Sequence, residues 1–472
     1  MLKSWLRCVV VTGQVLAVVS AGQAQKRGHV AEWLTTADRK QLVALQADEL
    51  KLQPNDKKAT TIVVDEAKAY QTVDGFGFAM TGGSAQWLYR MDAAKRHAVL
   101  EEIFGHKRGE AMVSYLRVSV GSSDLNDHVF TYDDVPAGET DPELKRFSIA
   151  EDEKELIPVL REVLKISPHI QILASPWSAP SWMKTNDAPK GGSLKAEFYP
   201  VYAQYLVRYL QAMQRAGVPI AAITMQNEPE NPKNTPSMVM TAPEQAAFLR
   251  DSFGPALRAA GLKTKVVLFD HNCDHPEYPI SILKDQQAAA FADGSGFHLY
   301  KGEISAMTTV HDAFPQKSLY FTEQMVVEHT SDGSLQPIAK PVAWVVIGAM
   351  RNWSRNVLLW NLAANSKFEP HTDNGGCKMC QGAITIDGDD VTRNIGYYTI
   401  KQVSEFVPPG AVRIDSTEPD TSLPNVAWRT PKGKHVLVVA NTGSERHDFT
   451  VGAGERQFAA SLDAGSVATF VW

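Results

Sequence analysis

The chain has 472 residues, 44% hydrophobic and 21% charged, with a formal net charge of -6. That composition fits a globular protein with one large α/β domain and a smaller companion. The mild acidity argues against nucleic acid or an anionic membrane as partner, and there is no internal repeat, low-complexity tract or long linker.

Residues 1–24 read as a secretory signal peptide. Lys3 and Arg7 precede an apolar run from Cys8 to Val19, and Gly22-Gln23-Ala24 offers small residues for cleavage after Ala24. The run is short for a membrane span, and no later stretch approaches 18 apolar residues. A secreted or periplasmic protein without stable membrane insertion is expected. Cys8 lies inside the apolar run rather than at a cleavage site, which argues against a lipid anchor. Cleavage would remove Lys3 and Arg7 and take the net charge from -6 to -8.

Residues 25–74 are read as an N-terminal segment that belongs to a β side domain. It holds a helix-like stretch from Thr36 to Leu50 and a strand from Thr60 to Asp65 that stands outside any β/α alternation. From 75 to 403 short apolar strands alternate with helical stretches. The strands are Gly75 to Met80, Tyr115 to Val120, Ile170 to Ser175, Ala222 to Met225, Lys265 to Asp270, Gly296 to His298, Ser318 to Thr322 and Asn356 to Trp360. Helices are expected over Glu151 to Lys165, Pro200 to Ala216, Ala242 to Ala260 and Pro341 to Trp353. Eight such units predict an α/β fold, a (β/α)8 TIM barrel whose functional groups sit at the C-terminal strand ends. Residues 404–472 change texture. Val436 to Ala440, His447 to Val451 and Ser466 to Val471 read as strands of a small antiparallel β-sandwich.

Two strands end on a glutamate: Ile223-Thr224-Met225-Gln226-Asn227-Glu228-Pro229 and Leu319-Tyr320-Phe321-Thr322-Glu323. Singly, each carboxylate could be the first solvated residue after a strand. As a pair, closing the fourth and seventh strands of one barrel, they match a retaining glycosidase, with one acid/base and one nucleophile. The charge of Glu323 is then expected to raise the pKa of Glu228 so that it holds a proton. Other strand ends carry Arg117, Asp124, Trp177, His298, Tyr300, Trp360 and Asn361. Indole and phenol faces stack on sugar rings, while Asp, Asn and His bind hydroxyls. Cys377 and Cys380 could close a small disulfide loop, which would leave Cys273 free. They could also be half of a metal site or a redox pair, but no second cysteine pair completes such a site.

These motifs resemble glycoside hydrolase family 30, which includes glucosylceramidases and β-1,6-glucanases. The resemblance runs from Gly75-Phe76-Gly77-Phe78-Ala79-Met80-Thr81 through the C-terminal β-domain. It rests on Ala174-Ser175-Pro176-Trp177-Ser178-Ala179-Pro180, Gln226-Asn227-Glu228-Pro229, Phe321-Thr322-Glu323-Gln324 and Trp360-Asn361-Leu362-Ala363. It implies Glu228 as acid/base, Glu323 as nucleophile and Asn227 as partner of the substrate 2-hydroxyl. It also places Asp124, Trp177 and Trp360 in the glycone pocket, with His298 and Tyr300 beside the nucleophile. The stretches Asn231 to Met238 and Gly375 to Cys380 resemble bacterial β-1,6-glucanase-like members more than animal lysosomal glucosylceramidases. Val326-Val327-Glu328-His329 departs from the family pattern and bears on the aglycone side.

The leading expectation is a secreted, monomeric retaining β-glycosidase acting on β-1,6-glucan, with no cofactor. Its rivals are a glucosylceramidase or exo-acting β-glucosidase using the same residues, and a non-catalytic carbohydrate-binding protein. A metal-dependent hydrolase built on Asp270, His271 and His275 is disfavoured, because these residues share one loop without the helical spacing of a zinc motif.

Overall fold

The computed structural model describes residues 28–57 and 61–472. The signal-peptide reading lies outside them, as does Thr60 at the start of one expected strand. Strands β1 (His29–Thr35) and β2 (Ile62–Thr72) come first. Eight parallel strands then close a barrel: β3 (Gly75–Ala79), β4 (Tyr115–Val120), β5 (Gln171–Pro176), β6 (Ala222–Thr224), β7 (Lys265–Cys273), β8 (Ala292–Gly302), β9 (Ser318–Glu323) and β10 (Ser354–Leu359).

Tyr115, Leu173, Ala222, Val267, Tyr320 and Leu358, from six of these strands, form a separate buried cluster within the barrel. A larger apolar layer packs strand side chains such as Phe76 and Phe78 against helix residues such as Leu160, Leu206 and Val345. Strand contact is so close that a Cβ built on Gly77 would lie 1.8 Å from the carbonyl oxygen of Tyr115, and one on Gly294 1.9 Å from that of Ser318. Only glycine fits there.

The expected helices form with local breaks. Glu155 interrupts the stretch Ala150–Lys154 and Leu156–Ile166, and Tyr199–Arg215 is continuous. The stretch after Thr241 runs through a π-helical turn, Leu249–Phe253, just before Gly254-Pro255. Proline cannot supply the usual backbone donor in a helix interior, and a wider turn accommodates that. A π turn, Val342–Ile347, also lies within the helical stretch after Ile338.

Beyond the barrel come β11 (Val412–Ser416), β12 (Asn425–Arg429), β13 (His435–Ala440), β14 (His447–Ala453), β15 (Arg456–Leu462) and β16 (Val467–Val471). The N-terminal strands pair with them. β1 runs antiparallel to β16, with Ala31 opposite Val471, and β2 lies between β11 and β14. The β2–β14 pairing is parallel, an exception in an otherwise antiparallel sheet. Val30, Ile62, Ile414, Leu437, Phe449, Phe458 and Phe470 are among the residues of its core.

The helix expected over 36–50 does not form. Ala44–Leu45 and Leu50–Lys51 instead make short antiparallel pairs with β1. Arg39 and Val43 have φ of +57° and +52°, incompatible with a continuous helix. A partly apolar stretch beside an open strand edge gains more from ladder hydrogen bonds than from its own helical propensity.

Candidate active site

Both glutamates lie at the C-terminal rim of the barrel. Glu323 ends β9, while Glu228 follows β6 and adopts a left-handed backbone, φ +44°. For a residue of that size such a backbone must be held by its surroundings. Its N–H donates to the Asp270 carbonyl at 3.0 Å, and its Oε2 accepts from Asn231 Nδ2 at 2.6 Å and Asn234 Nδ2 at 3.2 Å. Glu323 Oε2 accepts from Arg117 Nη1 at 2.6 Å and Oε1 from the Tyr300 hydroxyl at 3.0 Å. One ring nitrogen spans the pair: His298 Nδ1 lies 3.4 Å from Glu228 Oε1 and 3.8 Å from Glu323 Oε1.

Beneath them sits Asp270, fully buried. Its Oδ2 accepts from Arg117 Nη2 (2.8 Å), Ser175 Oγ (2.7 Å) and Thr224 Oγ1 (2.9 Å). Its Oδ1 accepts from Thr322 Oγ1 (2.6 Å) and faces His298 Nε2 at 3.1 Å. Five donors from β4, β5, β6, β8 and β9 thus converge on one carboxylate. Burial alone would raise its pKa, but the Arg117 charge, the bond and charge of His298 and the Ser175 bond together hold it well below the ordinary range.

The resting charge states differ from the sequence expectation. Burial would raise Glu228, yet the hydrogen bond and charge of His298, then His271 and Asn231, hold it at about 2. Glu323 is instead raised above 4.5: burial is the largest cause and, with smaller help from the charges of Glu228 and Asp270, exceeds the opposing charges of His298 and Arg117. Burial alone would lower His298, but Glu323, Asp270 and Glu228 raise it to about 9. The mobile proton of the site therefore lies on His298 rather than on Glu228. Asp124 is pushed up to about 8 by burial and by repulsion from Glu323 and Glu228, so its carboxyl can donate a hydrogen bond near neutrality.

Trp177 and Trp360 stack with ring centroids 5.3 Å apart, and the Arg117 guanidinium lies 4.9 Å and 5.7 Å from them. The Trp177 indole nitrogen is buried without a protein partner, which leaves a donor for a ligand. Asn227 Oδ1 accepts from Arg117 Nη2 at 2.7 Å. Tyr300 is 40% exposed at the rim although its hydroxyl reaches Glu323. Asn361 differs from the expectation of a substrate contact. Its Oδ1 accepts from Thr81 and Ser84, and its Nδ2 donates to the Ala363 carbonyl at 2.8 Å, so its amide holds the strand-end loop together. The sequence offers Asp270 and His271 only as members of the disfavoured metal set and assigns no role to Asn231 or Asn234. Asp270 had a readable signal, an apolar run, Val266 to Phe269, that ends on a carboxylate just as the two glutamate strands do.

The trio Asp270, His271 and His275 does not assemble. Asp270 is committed to Arg117 and its hydroxyl donors, while His275 pairs with Glu230 at 3.1 Å and Glu277 at 3.8 Å. Cys377 and Cys380 are joined in a disulfide, and Cys273 is free and buried. The disulfide is not simply a surface staple, since Cys380 packs in one cluster with Ala79, Leu125, Trp177 and Trp360. Replacing both cysteines with serine is expected to lower stability by about 1–3 kcal/mol, as for closure of a very small loop. It should also raise KM through displacement of the tryptophans. Denaturant melts and steady-state kinetics check this, and an unchanged KM would detach the disulfide from the site.

The loop after Glu323 is anchored from the side domain. Arg39 pairs with the Glu328 carboxylate and donates through Nη2 to the Gln336 carbonyl at 3.0 Å. Glu328 N–H donates to Gln381 Oε1 at 2.7 Å, next to the disulfide.

Barrel, attached sandwich and paired carboxylates are together the architecture of a glycoside hydrolase. Comparison with known proteins is more specific. The model of the glycosyl hydrolase family 30 TIM-barrel domain matches residues 73–406, and that of the family's β-sandwich domain matches residues 410–470. The chain belongs to glycoside hydrolase family 30. It is 31% identical to an endo-1,6-β-D-glucanase of Trichoderma harzianum over 430 residues, 86% of this chain and 85% of that protein. It is 28% identical to the mouse lysosomal acid glucosylceramidase over 440 residues, 87% of this chain and 83% of that protein. Among solved structures, the endo-β1,6-glucanase BT3312 superposes with a TM-score of 0.87 at 33% identity, covering 94% of this chain and 99% of that one. No helix among the described residues is long and apolar enough to cross a membrane.

Proposed function

We propose that the protein is a secreted, monomeric retaining β-glycosidase that cleaves β-1,6-glucan, with Glu323 as nucleophile and Glu228 as acid/base. The observation that carries the mechanism is the single His298 nitrogen within 4 Å of both carboxylates. A retaining pair lies about 5–5.5 Å apart, whereas an inverting pair leaves about 6.5–9.5 Å for a water; the shared nitrogen keeps the two facing oxygens no more than about 7.2 Å apart, which excludes most of the inverting range and leaves the retaining one open. In this reading the proton moves from His298 Nδ1 to Glu228 Oε1 as substrate displaces water. Glu228 gives it to the leaving oxygen while Glu323 attacks the anomeric carbon. Glu228, again a carboxylate, then takes a proton from the incoming water, which breaks the glycosyl–Glu323 bond.

The substrate assignment is supported by the endo-1,6-β-glucanases among the relatives, and export by the reading of residues 1–24. Similarity to the mouse glucosylceramidase favours a second reading, the same chemistry on a glucosylceramide. A panel of β-1,2-, β-1,3-, β-1,4- and β-1,6-glucans plus glucosylceramide separates the two. Internal cleavage of the β-1,6-polymer is expected to lead by a wide margin. Fast turnover of glucosylceramide with an untouched polymer would sink the first reading. Proton NMR of the earliest products should find the β-anomer, and an initial α-anomer would defeat the retaining assignment.

A further inference from the structure

We propose that Glu228, His271 and His298 form a binding site for a borderline divalent metal ion such as zinc, and that its occupation blocks the acid/base carboxylate. Among the described residues this is the one trio of potential ligands whose donor atoms all lie within 4.8 Å of one another, and all three are buried. His298 Nδ1 and His271 Nδ1 lie 3.4 Å and 3.7 Å from Glu228 Oε1. Zinc bonds of about 2.0–2.2 Å in tetrahedral array place neighbouring donors about 3.3–3.6 Å apart. Small ring adjustments would close the set, with the fourth position left to a water.

Three further features suit an ion. His271 Nδ1 is buried and has no hydrogen-bond partner, so its lone pair is uncommitted. His298 turns Nε2 to Asp270 Oδ1 at 3.1 Å, the carboxylate–histidine arrangement that orients an imidazole towards a metal through its other nitrogen. The two imidazoles stand at 90° with centroids 6.3 Å apart, so they are not stacked against each other. Two imidazoles and one carboxylate select zinc or copper over calcium or magnesium. Loading exchanges the ion for the proton on His298 Nδ1, which leaves to solvent.

The test is calorimetric titration of chelator-stripped, full-length protein with zinc chloride at pH 8. One ion per chain is expected, displaced by excess β-1,6-gluco-oligosaccharide and not competed by calcium. His271→Asn should weaken binding at least about 10-fold, and Glu228→Gln likewise, whereas His275→Asn should leave it unchanged. Circular dichroism checks the fold of each variant, and two ligand variants guard against the failure of one. Cobalt(II) should give the intense visible absorption of a four-coordinate site. Equal zinc affinity in folded His271→Asn and Glu228→Gln would overturn the proposal, as would a site lost only in His275→Asn. Binding is read directly and does not depend on the function proposed above; the displacement by oligosaccharide and the accompanying loss of turnover do, so failure of these two alone counts against that function and not against the metal site.

Discussion

Glu323→Ala is expected to lower turnover of β-glucosides by at least about 10⁴-fold, the scale on which loss of a covalent nucleophile acts. Glu323 sits on the last residue of β9, aimed by Arg117 Nη1 at 2.6 Å and the Tyr300 hydroxyl at 3.0 Å. Alanine leaves nothing to attack the anomeric carbon, and the space admits water or a small anion from the opposite face. Added azide should therefore yield no β-glycosyl azide, and any rescued product should have inverted configuration. The variant should remain folded, because Arg117 keeps its 2.8 Å bond to Asp270. Retained turnover in a folded variant would remove Glu323 from the mechanism. The wild-type pH profile carries a related signature. As the proposed nucleophile Glu323 must be ionised to attack, and burial raises its pKa above 4.5, so the acid limb of kcat/KM should fall at a higher pH than for an ordinary glutamate.

Glu228→Ala should behave differently. Glucan cleavage should drop about 10²–10⁴-fold, the usual share of general acid catalysis, while aryl glucosides with good leaving groups should keep a fast first step. The glycosyl-enzyme would then accumulate for want of a base, visible as a burst and as a mass increment on Glu323. Azide, which needs no base, should restore the second step and give a β-glycosyl azide. Equal losses on activated and unactivated substrates would assign Glu228 a binding role instead. Because His298, raised to about 9, holds the mobile proton of the site, His298→Asn should resemble Glu228→Ala on poor leaving groups more than on good ones.

The barrel was legible because its buried strands are short β-branched and aromatic runs bounded by helices, and each of the eight expected strands overlaps an observed one. The two glutamates were legible for the same reason, as carboxylates that close such runs. What stayed hidden depends on partners distant in sequence. The stretch 36–50 reads as helix until the edge of β1 is placed beside it, and β1 is itself built onto residues near 470. The first part of β8 looks like a turn, Asp293-Gly294-Ser295-Gly296, because its glycines serve close packing rather than a bend. Ionisation was least readable. Glu228 is set by His298, His271 and Asn231, and two of the three come from other strands, whereas the sequence pattern exposed only its rivalry with Glu323.

The pairing of β1 with β16 has a consequence for how the chain reaches its native state. Ala31 meets Val471 and Thr35 meets Val467, so the segment 31–35 must wait for the segment 467–471 to be made. Until residues 467–471 have been made, the side domain lacks the strand between β1 and β13, and both keep unpaired edges. Such long-range closure favours joint completion of barrel and side domain over growth domain by domain. Ribosome-bound chains stalled before residue 463 should therefore remain protease-sensitive over residues 28–57, and protection of that segment at that stage would show that it docks without its partner.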